Sequence, residues 1–222
     1  MKSTALDRAL TALYIVAIAL LIITFSIGLP IYVRPFYYAH IGPLGLTEDT
    51  GMTREQIKQG YDEVLDYLTL PGREFRCGDF RYSEEGKSHF EDCKVLFDLN
   101  AAVLLASGAV VLTLWLLHRY RLISISQPKG WSPWAVASAA VLAAFAVLGA
   151  LVAVDFDTAF TVFHSMFFPG KSNWLFDPAT DQIILALPQT FFMSCALLIG
   201  ASVIGISAFV LVRDLRRRAK NK

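Results

Sequence analysis

Four stretches of the chain carry no Asp, Glu, Lys or Arg over a spanning length: residues 9–33, 99–118, 130–154 and 182–212. They hold 25, 20, 25 and 31 residues, and ~20 helical residues cross a hydrocarbon core of ~30 Å. The first is expected to be a retained helix, because its apolar run is longer than a signal-peptide core and no small-x-small site follows before Arg34. The fourth is too long for one perpendicular span. Pro188, with the polar Gln182 and Gln189, is expected to set the start of that helix near residues 188–191. Between the first two spans the pattern changes. Residues 53–70 open with a capping pair, Thr53 and Gln56, and place Ile57, Tyr61, Val64, Leu65 and Leu68 at helical spacing. A second helix is expected to start near Ser88 and run unbroken into the second span. Pro71-Gly72 and residues 77–82 are expected to form a turn and a short extended segment.

These elements predict an all-α polytopic membrane protein with four transmembrane helices and a small extracytoplasmic cap formed by two outer loops. The expected division is residues 1–33 for the cytoplasmic N-terminus and first span, 34–98 for the first outer loop, and 99–118 for the second span. Residues 119–132 form the cytoplasmic loop, 133–154 the third span, 155–187 the second outer loop, 188–212 the fourth span and 213–222 a basic tail. Composition agrees, with 55% hydrophobic and only 18% charged residues where a soluble domain carries about a quarter charged. A net charge of +1 leaves no basic surface for nucleic acid. Charge placement orients the chain. The termini and the 119–132 loop hold eleven basic residues against two acids, Asp7 and Asp214, and the other side holds nine basic and seventeen acidic residues. Both termini are therefore expected to be cytoplasmic, with the long loops outside. The tail, with Arg216-Arg217-Arg218, is expected to act as an orientation signal and an anionic-lipid contact.

The candidate chemistry lies in the outer loops. Three of the four histidines, His40, His89 and His164, fall there. His89 precedes the second span by ten residues and His164 follows the third by ten. If both segments stay helical, each imidazole stands roughly 15 Å beyond its span at 1.5 Å per residue, and the two converge over the mouth of the bundle. Asp92 (i+3) and Cys93 (i+4) share the helix face of His89. A carboxylate on one ring nitrogen would fix the tautomer and leave the other basic. Near His164 lie Trp174 and the carboxylates Asp155, Asp157, Asp177 and Asp181. No HExxH, CxxC or close His pair supports a metal site, and no GxSxG elbow supports a serine hydrolase. No cofactor is expected. Cys93 is open to two readings: a thiol nucleophile, or a disulfide with Cys77, the other outer cysteine. Cys195 belongs to the fourth span as a small apolar residue.

Residues 82–94, Tyr-Ser-Glu-Glu-Gly-Lys-Ser-His-Phe-Glu-Asp-Cys-Lys, resemble the first signature of the lipoprotein intramolecular transacylases of Gram-positive bacteria. The second signature is similar to Phe163-His164-Ser165-Met166-Phe167-Phe168 followed by Trp174-Leu175-Phe176-Asp177-Pro178, Asp181, Pro188 and Phe191-Phe192. The resemblance extends to the four-span layout and runs over nearly the whole chain. The chain departs from the pattern at Phe90 and Cys93, where the family carries Met and Val, and the second departure argues against a nucleophilic Cys93. The resemblance implies a plasma-membrane acyltransferase whose substrate is a diacylated lipoprotein with a free N-terminal cysteine amine. Such enzymes move the sn-2 acyl chain of the glyceryl group to that amine and leave the lyso form. It further implies His89 as catalytic base and His164 as its partner, at the outer leaflet.

The chemistry suits those residue types. Ester aminolysis within one molecule needs no covalent enzyme intermediate, since the substrate supplies proximity. One imidazole can take the amine proton and return it to the leaving oxygen. Arg73 and Arg76 are candidates to hold the oxyanion, and Glu74, Asp92, Trp174, Asp177 and Asp181 are candidates to orient the ring. Another membrane acyltransferase or lipid hydrolase is the nearest alternative, and a non-enzymatic receptor or assembly protein is the next. A transporter fits less well, because no span carries a midplane charge.

Overall fold

The computed structural model describes residues 4–220, so Lys2 and Lys222 of the charge count lie outside the described residues. Among these, every regular element is helical. The order is α1 (Ala5–Tyr32), α2 (Arg34–His40), α3 (Leu46–Thr50), α4 (Arg54–Thr69), α5 (Glu84–Arg119), a 3₁₀ turn (Pro128–Gly130), α6 (Pro133–Val154), α7 (Phe156–Phe167), α8 (Ile183–Ala186) and α9 (Gln189–Lys220). Four of them, α1, α5, α6 and α9, are long and apolar enough to cross a membrane.

The chain forms two compact units. One comprises the residues up to Gly28, Asn100–Ala150 and those from Ile199 onward. Its core joins Tyr14, Ala17, Ile18 and Ile22 to Val111, Leu114, Ala137, Val141 and Val203. Small residues let helices approach closely in lipid, and the Ser26 and Ser202 hydroxyls meet at 3.0 Å. At one end of this unit the Arg218 guanidinium lies 4.1 Å from the centre of the Trp131 ring. The 32-residue α9 continues through the basic tail, which the sequence had left without an element.

The second unit comprises Leu29–Leu99 and Leu151–Leu198. The capping box at its centre forms as the sequence predicts. The Thr53 side chain accepts from the Gln56 N–H, and the Gln56 side chain accepts from the Thr53 N–H. The helix so started, α4, buries Ile57, Tyr61, Val64, Leu65 and Leu68. Tyr61 stacks on Tyr37 at 3.7 Å, and the edge of Phe191 closes the group. The Tyr37 hydroxyl donates to the Ala186 carbonyl at 2.8 Å, so a buried phenol is satisfied and α8 is tied to the same core. Gly60 is required by proximity, because a Cβ there would stand 2.5 Å from the Phe80 ring and 2.8 Å from the Cys77 carbonyl.

Two local expectations are corrected. Residues 77–80 form a tight turn, closed by Phe80 N–H donating to Cys77 O at 3.2 Å with Gly78 at φ +61°, and no strand is present among the described residues. The helix of the third span does not continue to His164. Asp155 is extended (φ −156°, ψ 101°) and its side chain accepts from the Thr158 N–H at 3.1 Å, ending α6 and starting α7. An Asp with Thr three residues on is an N-cap signal, and it was legible in the sequence.

Candidate active site

Helix α5 carries seven charged side chains over residues 84–98, which keeps that part clear of the hydrocarbon layer. Its start is fixed from outside the helix. The buried Asp181 carboxylate accepts from the Ser83 N–H at 2.8 Å and from the Ser83 hydroxyl, and the Thr180 hydroxyl adds a third bond. Ser83 caps the helix, its hydroxyl oxygen accepting from the Gly86 N–H at 2.9 Å, and Asp181 holds Ser83 from the second loop. Gly86 accommodates it, since a Cβ there would stand 2.0 Å from the Asp181 carboxylate and 3.0 Å from Phe176. One turn on is His89.

His89 and His164 are both buried, at 6% and 7% exposure, and their ring centres lie 5.8 Å apart. The equal heights argued from two unbroken helices are not how they meet, because α7 is a separate helix. Its last turn carries His164 inward, between Phe160 at 4.3 Å and the Trp174 ring stacked at 4.6 Å and 26°. His164 Nδ1 lies 2.7 Å from the Phe160 carbonyl. A carbonyl only accepts, so Nδ1 carries the proton and Nε2 keeps a lone pair. Around His89, Phe168 and Phe176 stand edge-on at 4.9 and 5.4 Å. Its Nε2 faces the Cys93 sulfur at 3.3 Å, and its buried Nδ1 has no hydrogen-bond partner.

Electrostatics keep both rings neutral. Burial and then the neighbouring His164 push His89 down to about 4, against the pull of Asp92. Burial also lowers His164, against its bond to the Phe160 carbonyl.

Asp92 does not orient His89. One carboxylate oxygen takes the Lys171 ammonium and the other accepts from the Asn173 amide at 3.0 Å. These contacts hold the carboxyl below the usual carboxylate range, although burial opposes them. Asp92 thereby pins the loop that lays Trp174 on His164, and the Trp174 indole N–H donates to the Lys171 carbonyl at 3.2 Å. The helix face shared with His89 was read correctly, but the partner was not. Lys171 and Asn173 were missed because a pairing across 79 residues leaves no local pattern.

Cys77 and Cys93 are unbridged. The Cys77 thiol donates to the Phe80 carbonyl, and burial pushes it up to about 12. Cys93 rises to about 12 through burial and then the Asp92 charge, so it is a thiol at neutral pH and a poor nucleophile. Cys93→Ala is accordingly expected to keep most acyl-transfer activity. A variant dead with and without reductant would restore the nucleophile. Arg73, Glu74 and Arg76 are exposed and make no hydrogen bond or ion pair among the described residues. Asp177 is exposed and closes the turn that leads to Asp181. His40 bonds the Phe36 carbonyl and packs on Phe36 and Phe191. No group of three His, Cys, Asp or Glu suited to a metal occurs among the described residues.

The chain was compared with known proteins. Residues 12–192 match the family described as lipoprotein intramolecular transacylase Lit. Among solved structures, the membrane-integral lipoprotein intramolecular transacylase Lit from Bacillus cereus is similar, with TM-score 0.83 and 26% identity over 98% of this chain and 99% of that one. Two variants of the Bacillus cereus protein share the fold. In one a histidine is replaced by arginine (TM-score 0.79, 23% identity, 98% and 95% covered) and in the other by alanine (TM-score 0.78, 24%, 97% and 96%). No curated protein matches. The family match covers most of the chain, both histidine signatures fall inside it, and the chain belongs to the lipoprotein intramolecular transacylases, a family of membrane-integral acyltransferases.

Proposed function

We propose that the chain moves the sn-2 acyl group of an S-diacylglyceryl lipoprotein to its own N-terminal cysteine amine, with His89 and His164 as the acid–base pair. The observation that carries this reading is the pair of buried imidazoles with ring centres 5.8 Å apart. Two groups so placed reach the amine and the ester of one substrate.

The substrate ammonium gives a proton to the free lone pair of His164 Nε2. The resulting imidazolium then donates a hydrogen bond to the oxyanion as the amine attacks the ester carbonyl. His89 takes the second amine proton on Nδ1, with Nε2–H donated to the Cys93 sulfur, and returns it to the glycerol oxygen as the C–O bond breaks. The products are an amide and a free glycerol hydroxyl, and one proton leaves His164 for solvent. No acyl-enzyme is required. The excess of basic residues at the termini supports a cytoplasmic placement for both, with the site facing the outer leaflet.

The test is mass spectrometry of a synthetic diacylated lipopeptide incubated with the purified protein in vesicles. Unchanged total mass, with the acyl group now on the cysteine nitrogen, supports the reading. Loss of an acyl group as free acid would show a hydrolase instead.

The low His89 value has a pH signature. A histidine depressed in the fold is protonated more readily in the unfolded chain. Its neutral form thus supports the fold fully above ~6.5, the unfolded value, and this support is lost as pH falls through about 4. Activity is expected to hold through mildly acidic pH, with its acid limb below the ordinary histidine value. A limb in kcat at or above ~6.5 would mean that a normally titrating histidine controls the rate.

A further inference from the structure

We propose that α7 is an interfacial helix lying in the bilayer surface, with its outer face covered by the acyl chains of one leaflet, so that His164 is held at the depth of lipid ester groups. The helix is amphipathic. At 100° per residue, Phe156, Ala159, Phe160, Val162, Phe163, Met166 and Phe167 share one broad arc, and Asp157, Thr158, Thr161 and Ser165 share the other. His164 lies on the border between the two arcs.

Part of the apolar arc packs inward through Phe160. Phe156 and Ala159 are half-buried, and the outer part of the arc stays open. Val162, Phe163, Met166 and Phe167 are 44–65% exposed, and Leu175 on the loop that follows is also exposed. Within its unit this face continues a surface that faces lipid, because Leu151 and Val154, at the end of the span just before α7, are 66% and 86% exposed. No Lys or Arg occurs in residues 130–170 to lift the segment toward water. A helix with a wide apolar arc, a polar opposite face and a short tether to a span settles in the interface, with its apolar side buried ~5–10 Å deep. The extended Asp155 supplies the change of direction between span and surface helix.

The consequence rests on the acyl-transfer reading. A diacylglyceryl ester already lies at that depth, so the substrate reaches the histidines by lateral diffusion, with its chains still among those of the bilayer.

The test uses the full-length chain in phosphatidylcholine vesicles with lipids brominated at mid-chain, comparing Met166→Trp and Thr161→Trp with the parent protein. The tryptophan placed at 166 is expected to emit at shorter wavelength than that at 161 and to lose roughly half its intensity to brominated lipid, as an interfacial side chain should. Emission at 166 unaffected by brominated lipid, whether water or a second copy covers the face, overturns the proposal. As a second readout, Met166→Glu is expected to lose about tenfold in rate on a long-chain lipopeptide in vesicles, since a charge at this depth is unfavourable. It should keep its rate on a short-chain lipopeptide in detergent. Equal loss on both substrates overturns the proposal. The quenching result stands apart from the chemistry, so failure of the histidine mechanism leaves it readable.

Discussion

Alanine at His89 or at His164 is expected to reduce the rate of acyl transfer by about 10²–10⁴, the range for loss of a positioned acid–base group. The two losses should not add. In the proposed mechanism both rings act on one tetrahedral intermediate, and with either absent the other has no proton path to complete, so the double variant should resemble the weaker single one. The folded state should survive. A buried imidazole is replaced by a smaller apolar group, and the aromatic wall of Phe160, Phe168, Trp174 and Phe176 remains. The measurement is lipopeptide conversion by mass spectrometry beside thermal unfolding in detergent. Near-normal conversion by a folded His164→Ala protein would remove that ring from the mechanism.

Gly86→Ala is expected to damage the site through the fold, with no change to a reacting group. The added methyl has its nearest neighbour 2.0 Å away, the buried Asp181 carboxylate that holds Ser83, the cap of α5. Either the carboxylate moves and the first turn of α5 loses its cap, or the helix start shifts one turn before His89. Overpacking of this kind typically costs 1–3 kcal/mol, with about 1 kcal/mol more for a lost cap. Thermal unfolding should therefore occur several degrees lower, and conversion should fall with it. Asp181→Asn keeps the shape and some acceptor capacity, and should be milder. Gly86→Ala with wild-type stability would show that loop and helix yield freely here.

The spans, the capping box of α4 and the two histidine signatures were legible because each is written in neighbouring residues. Hydrophobic runs, Thr53 with Gln56, and the i+3 and i+4 spacing of Asp92 and Cys93 are local patterns. What the sequence concealed was pairing across distance. That Asp92 turns to Lys171 and Asn173 and away from His89 depends on a loop brought back from the far side of the chain. The break at Asp155 was written locally, yet the apolar run of α6 masked it. Arg73 and Arg76 drew notice as charges near a site, but charge alone does not say which way a turn faces.

The unbridged cysteines bear on how the protein endures its surroundings. With the Cys77 and Cys93 thiols pushed up to about 12, chiefly by burial, both stay protonated at neutral pH. Oxidants and alkylating reagents act on the thiolate, so thiols raised in this way react slowly. The packing that raises these thiols also lowers the His89 imidazole, since burial is the leading cause at all three side chains.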